Sequence, residues 1–191
     1  RIRNRTYGGV RGRNFSILRN FSYSINMIRQ ANLNDISGIM KIIQEAQKYF
    51  KENGIPQWQN GYPDEKQIQS DIKENGTYVL EEDNQIIGTF YITFKGDPYY
   101  KEIDGNWLNT NKYAAVHRIA VLPSFKGQGL AGKLFQYAEK LAQEQGLHDI
   151  RIDTHKLNSS MQNTLKKNGF IKCGNITIQN NEPRVAFQKE L

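Results

Sequence analysis

The chain has 191 residues, with 26 Lys and Arg against 19 Asp and Glu, a formal net charge of +7 and a single cysteine. That length suffices for one domain with a proper core, and no apolar run approaches the roughly 18 residues that a membrane-spanning helix needs. The lone Cys173 excludes an internal disulfide framework and suits a reducing compartment, so a cytoplasmic protein without a membrane partner is expected.

The charge is not spread evenly. Residues 1–26 hold six Arg and no acid, supplying +6 of the net charge and leaving the remainder nearly neutral. A basic isoelectric point ordinarily points to nucleic acid or a membrane surface. Here it reports a tail, and no nucleic-acid partner is expected of residues 27–191, which are read as one domain. The tail resembles a transit peptide in composition. Expression-derived sequence, sequence upstream of a start at Met27, or an RNA-contacting arm fits the same residues.

In chain order, Met27 to Ala31 reads as a first strand. Asn34 and Asp35 offer caps for a helix whose apolar residues, Ile36, Ile39, Met40, Ile43, Ala46, Tyr49 and Phe50, recur at helical spacing, with Gly54 just beyond its end. Residues 54–63, G-I-P-Q-W-Q-N-G-Y-P, form a loop in which Trp58 and Tyr62 either pin the chain to the core or line a pocket. A short helix follows from Asp64 to Glu74. Thr77–Glu82 and Gln85–Phe94 alternate around Asp83-Asn84 as a hairpin. Residues 95–112 then carry three acids (Asp97, Glu102, Asp104) among three aromatics (Tyr99, Tyr100, Trp107). A connection this long is a surface excursion, a contact with a second copy, or a surface suited to a cationic amine.

The most informative stretch runs from His117 to Ala142. A short apolar strand holding Ile119, Val121 and Leu122 is closed by Pro123, and Lys126-Gly127-Gln128-Gly129-Leu130-Ala131-Gly132 then opens a helix with Leu130, Leu134, Tyr137, Ala138 and Leu141 on one face. Glycines at a helix mouth let a diphosphate approach free N–H groups at the positive end of the helix dipole; equally, they let the chain turn. Beyond it, His148 to Thr154 alternates as a strand. Asn158 caps a helix ending at Gly169, and Phe170–Ile178 with Arg184–Leu191 form a closing antiparallel pair.

Two nucleotide-binding patterns compete for the glycines. Gly127-x-Gly129-x-x-Gly132 with Asp153 further on fits a dinucleotide fingerprint, but Pro123 to Lys126 separate the strand from the first glycine, and too little chain remains for a doubly wound sheet. I-A-V-L-P-S-F-K-G-Q-G-L-A instead closely resembles the acyl-CoA signature of GNAT-type N-acetyltransferases, a hydrophobic strand followed by [QR]-x-x-G-x-[GA], with Lys126 in place of the usual Arg or Gln. The spacing from Asn158 to Gly169-Phe170 and the element order from Met27 onward resemble that family as well. The resemblance implies the α/β GNAT fold, a mixed central sheet of about six to seven strands flanked by about four helices, in the order β-α-α-β-β-β-α-β-α-β-β.

It further implies acetyl-CoA as co-substrate, no metal, and a primary amine as acceptor, whether small amine, amino acid or peptide N-terminus. Homodimers are common in such families. Backbone groups of Ile119, Ala120 and Val121 would bond the pantetheine arm, residues 126–132 the diphosphate, and Asn158 would contact CoA or simply cap its helix. Trp58 and Tyr62 would border the acceptor. His117, Asp153 and His155 are the candidate bases, with His117 expected to share a strand face with Ile119 and to titrate near neutral pH. Leu165 stands where many members carry a proton-donating Tyr; Tyr137, His155, water or an unassisted thiolate are the alternatives. The missing Tyr also leaves open a non-catalytic acyl-CoA-binding module.

Overall fold

The computed structural model describes residues 27–191; the basic tail of residues 1–26 lies outside the described residues. Twelve elements follow in order: β1 (Met27–Gln30), α1 (Ile36–Glu52), α2 (Glu65–Lys73), β2 (Thr77–Glu82), β3 (Gln85–Thr93), β4 (Asp104–Gly105), β5 (Ala114–Val121), α3 (Leu130–Glu144), β6 (Asp149–Thr154), α4 (Ser159–Lys167), β7 (Ile171–Ile178) and β8 (Glu182–Glu190). The described strands form one mixed sheet in the order β1-β2-β3-β5-β6-β8-β7-β4. Every pairing is antiparallel except β5 with β6. This is the expected α/β fold with one strand more than anticipated. The addition is the two-residue β4, inside the excursion read from sequence as lacking regular structure. It pairs with β7 because both strands offer glycine: a Cβ on Gly105 would sit 2.3 Å from the Cys173 carbonyl oxygen.

Helix periodicity becomes packing against the sheet. The main core joins Leu134, Phe135 and Ala138 of α3 to Ile42 of α1 and to Leu80, Phe90, Val116, Ile150 and Phe187 of the sheet. A second cluster places Ile39 and Ile43 of α1 against Ile68 and Ile72 of α2, and a third seats Tyr100 of the excursion on Ala115, Ile176 and Ala186. Asp64 caps α2 by accepting the Gln67 N–H at 2.8 Å.

β5 is irregular on both of its edges. Its ladder with β6 is short: Ala114 pairs with Ile150 and Ala115 with Arg151, and no further pair forms along either strand. On its other edge, the two steps from Thr89 to Tyr91 in β3 face three steps from Ala120 to His117, so β5 carries an extra residue. That residue is Arg118, with a φ of 50°. A β-bulge here reverses the alternation beyond it. Ile119 therefore joins Ala114 and Val116 in the main core, whereas His117 lies with Ala115 on the opposite face, beside the rings of Tyr91 and Tyr100. The expectation that His117 and Ile119 share a face is corrected by this one inserted residue.

Leu134, fully buried between α3 and the sheet, tests the packing. Leu134→Ala is expected to cost roughly 2–5 kcal/mol in urea unfolding; a loss under about 1 kcal/mol would show that α3 is not seated as described.

Candidate active site

Two clefts open where β5 and β6 part. The first, about 540 Å³, runs along Ile119, Ala120 and Val121 and onto the turn before α3. Gly127 and Gly129 have φ of 82° and 74°, and a Cβ on either would meet nothing within 4 Å, so the turn is glycine for its backbone conformation and faces open space. Gly129 is the N-cap of α3 and no side chain caps that end, leaving the first-turn N–H groups directed at the cleft mouth. Lys126, Gly127, Gly129, Leu130, Ala131 and Gly132 all line this cleft; Gln128 is exposed and does not. Gly132 has a packing reason as well, since a Cβ there would lie 2.9 Å from Asn168 Oδ1. The Lys126 ammonium rests 3.7 Å from the centre of the Tyr49 ring, bridging the glycine turn to α1, and burial lowers its pKa.

The second cleft, about 500 Å³, runs along Val116 to Ile119 of β5. Phe50, Trp58, Ile119, Asn158 and Met161 line both clefts and so mark their junction. Trp58 packs edge-on against Phe50 with ring centres 5.5 Å apart, serving core and cleft together. Asn158 is buried; its Oδ1 accepts the Met161 N–H and caps α4, while its amide donates to Gln57 Oε1. Capping is thus part of its role at the junction.

The titratable groups sort clearly. His117 lines the second cleft with Nε2 3.3 Å from Asp97 Oδ2. Desolvation outweighs the neighbouring carboxylate: burial, aided by the positive charge of Arg118, pushes the His117 pKa down to about 3. The imidazole is neutral at physiological pH, unlike the histidine expected to titrate there. Asp97, from the excursion, accepts the Tyr99 N–H at 2.7 Å, and burial raises its pKa. Asp153 also lines this cleft and is raised by burial, but it is occupied: Oδ1 accepts from the Tyr100 hydroxyl at 2.7 Å and Oδ2 lies 3.6 Å from Arg184 Nε.

His155 does not join them. The strand ends at Thr154, His155 lines neither cleft, and its Nδ1 accepts the Leu157 N–H at 3.1 Å. Leu165 is fully buried in the main core, and Tyr137 packs on Tyr78 away from both clefts. Sequence reasoning listed Asp97 among acids suited to an amine but not among the bases, and did not place Arg118 among the site residues. The signal for Asp97 was its place among aromatics; for Arg118 the bulge left none.

Among the described residues no helix is long and apolar enough to cross a membrane. The family model for the acetyltransferase (GNAT) family matches residues 40–170. The chain is 30% identical over 117 residues to the S-alkylcysteine N-acetyltransferase of Bacillus subtilis (strain 168), a match spanning 61% of this chain and 61% of that relative. Among solved structures, an acetyltransferase of the GNAT family from Streptococcus agalactiae 2603 superposes with a TM-score of 0.79 at 34% identity, covering 87% of this chain and 95% of that one. The PaiA N-acetyltransferase of Thermoplasma acidophilum, solved in complex with coenzyme A, gives 0.66 at 17% identity over 87% and 99%, which shows the shared fold.

Because the folded pKa of His117 lies below its unfolded value of 6.5, the unfolded chain takes up the proton first as pH falls. This group's contribution to stability is whole above that value and declines by about 2 kcal/mol between about pH 7 and about pH 5. An NMR titration of the imidazole should find it neutral throughout that interval; a midpoint near 6.5 would contradict the burial argument.

Proposed function

The chain belongs to the acetyltransferase (GNAT) family, and from that premise we propose that residues 27–191 form an acetyl-CoA-dependent N-acetyltransferase acting on a primary amine, within the class of small amines, amino acids and peptide N-termini. The observation that carries the proposal is the meeting of two clefts at parted parallel strands, one floored by main chain and a glycine turn, the other lined by carboxylates. The Bacillus subtilis relative is named for an S-alkylated amino acid, which falls inside the same acceptor class.

In this reading the CoA diphosphate lies on the N–H groups of the Gly127–Gly132 turn, with Lys126 leaving the Tyr49 ring to meet it. The pantetheine arm runs beside Ile119, Ala120 and Val121, whose edge toward β6 lacks a strand partner. An N–H of that segment polarises the thioester carbonyl and holds the oxyanion. The amine enters through the second cleft, bordered by Trp58 and Tyr62.

An alkyl amine arrives as ammonium and must lose a proton to attack. With a pKa near 3, His117 is too weak a base to take that proton alone, so it receives the amine as a neutral hydrogen-bonding partner. Asp97 is the better base: burial strengthens it, and its Oδ2 faces the imidazole. Asp153, tied to Tyr100 and Arg184, supplies negative field and fixes the wall. The thiolate leaves without a protein acid, Leu165 being in the core, which the ordinary acidity of a thiol permits.

A thiol-release assay with acetyl-CoA and a panel of amines tests this reading. The wild type should release CoA only in the presence of an acceptor. Gly129→Glu should be silent and show no heat of acetyl-CoA binding, because it sets a carboxylate against the diphosphate; Asp97→Asn should bind acetyl-CoA yet lose about 100-fold or more in kcat/KM. Absence of cofactor binding to the wild type would overturn the proposal, and binding without release for any amine would identify a non-catalytic acyl-CoA-binding module.

A further inference from the structure

The second cleft contains a cation that the transfer chemistry leaves unused. Arg118 is the bulged residue of β5, and its φ of 50° is unusual for a long side chain within a strand. In regular alternation Arg118 would follow Ala114 and Val116 toward the apolar core. The inserted residue brings it into the cleft instead, next in sequence to His117. Bulges that re-aim a side chain are found beside active sites, where strain is retained for what the re-aimed group does.

Its surroundings hold the guanidinium in one orientation. Nε lies 2.6 Å from Oδ2 of the buried Asp71, itself steadied by the Gln67 amide at 2.8 Å. The guanidinium carbon sits 4.5 Å from the centre of the Tyr91 ring. Nη1 donates to the Tyr62 hydroxyl oxygen. Two donors then remain for a ligand. Nη2 makes no hydrogen bond within the described protein, and the Tyr62 hydroxyl, accepting from Arg118, keeps its own proton to give. Both side chains line the cleft.

We propose that Arg118 and Tyr62 bind the α-carboxylate of the acceptor, which makes the acceptor a free α-amino acid. The proposal rests on the transferase reading above and narrows it. A planar guanidinium beside a hydroxyl donor matches the two oxygens of a carboxylate, whereas a simple amine, or a peptide whose first residue continues into an amide, brings no anion to this point. A zwitterion separates its charges by a single carbon, and the cleft offers the complementary pair: Arg118 on one side, the Asp97 carboxylate beside His117 on the other. Arg118 lies near enough for its charge to be felt at both Asp97 and His117. Asp71 keeps Arg118 aligned from behind, so the guanidinium need not be ordered when the carboxylate arrives.

The test is thiol release with a panel of L-amino acids, their carboxamides and their decarboxylated amines. The wild type should favour the best amino acid over its carboxamide and its amine by about 100-fold or more in kcat/KM, since a site built for a charged partner rejects analogues lacking it. Arg118→Gln should reduce that preference to within a few-fold of unity, chiefly through KM. Tyr62→Phe, at a partly exposed position, should reduce it by about 10-fold and serves if the arginine variant does not fold. Equal turnover of amino acids, carboxamides and amines by the wild type would overturn the inference while leaving the transferase intact, and so would an unchanged preference in both variants. No release with any member of the panel or with other amines would overturn the transferase reading, and this inference with it.

Discussion

The structure depends on where two parallel strands stop pairing. β5 and β6 are joined only at Ala114–Ile150 and Ala115–Arg151 and then diverge, although both continue to Val121 and Thr154. Main-chain amides withheld from a ladder must find partners elsewhere, and in a cleft they can be met by solvent or a ligand. The divergence is kept open by what lies at each end of it. Pro123 stops β5, the glycine turn redirects the chain into α3, and Asn158 caps α4 at the junction of the two clefts. Buried contacts of α3 with the sheet then hold the turn in place.

A second constraint is dielectric. The second cleft gathers His117, Asp97, Asp153, Arg118 and Arg184 within partly buried surroundings, where charge is costly unless paired. Each group responds differently. Arg184 pairs with Asp153 and Glu182, and Arg118 with Asp71. Histidine, lacking a strong enough partner, stays neutral. The result is a polar cavity lined by side chains of both signs, unlike a uniformly charged patch.

Much of this was legible in the sequence because it is local. The strand, proline, glycine turn and helix of residues 119–132 occupy one contiguous segment, and turn and capping chemistry act over a few residues. The same holds for the Asn158 cap. What escaped required knowledge across strands. A single bulge at Arg118 altered which face of the sheet His117, Arg118 and Ile119 lie on, and period-two reasoning has no means of detecting an inserted residue whose partner strand lies elsewhere in the chain. His155 lines neither cleft because β6 stops at Thr154, one residue before it. On the helices, Ile42 and Phe135 proved fully or almost fully buried outside the faces read from spacing, because α1 and α3 each contact the core over a wider arc than one stripe. Residues 95–112 resisted prediction because Tyr100 and Gly105 are organised by distant contacts with Asp153 and Gly174.

The most direct test of the central claim is residue-resolved amide NMR of the protein titrated with coenzyme A. Resonances of Ile119 to Val121 and Gly127 to Gly132 should shift together, saturating at one common ligand concentration, while those of Ala114 and Ala115 in the intact ladder stay in place. Shifts confined to other surfaces, or an unperturbed glycine turn at saturating coenzyme A, would contradict it.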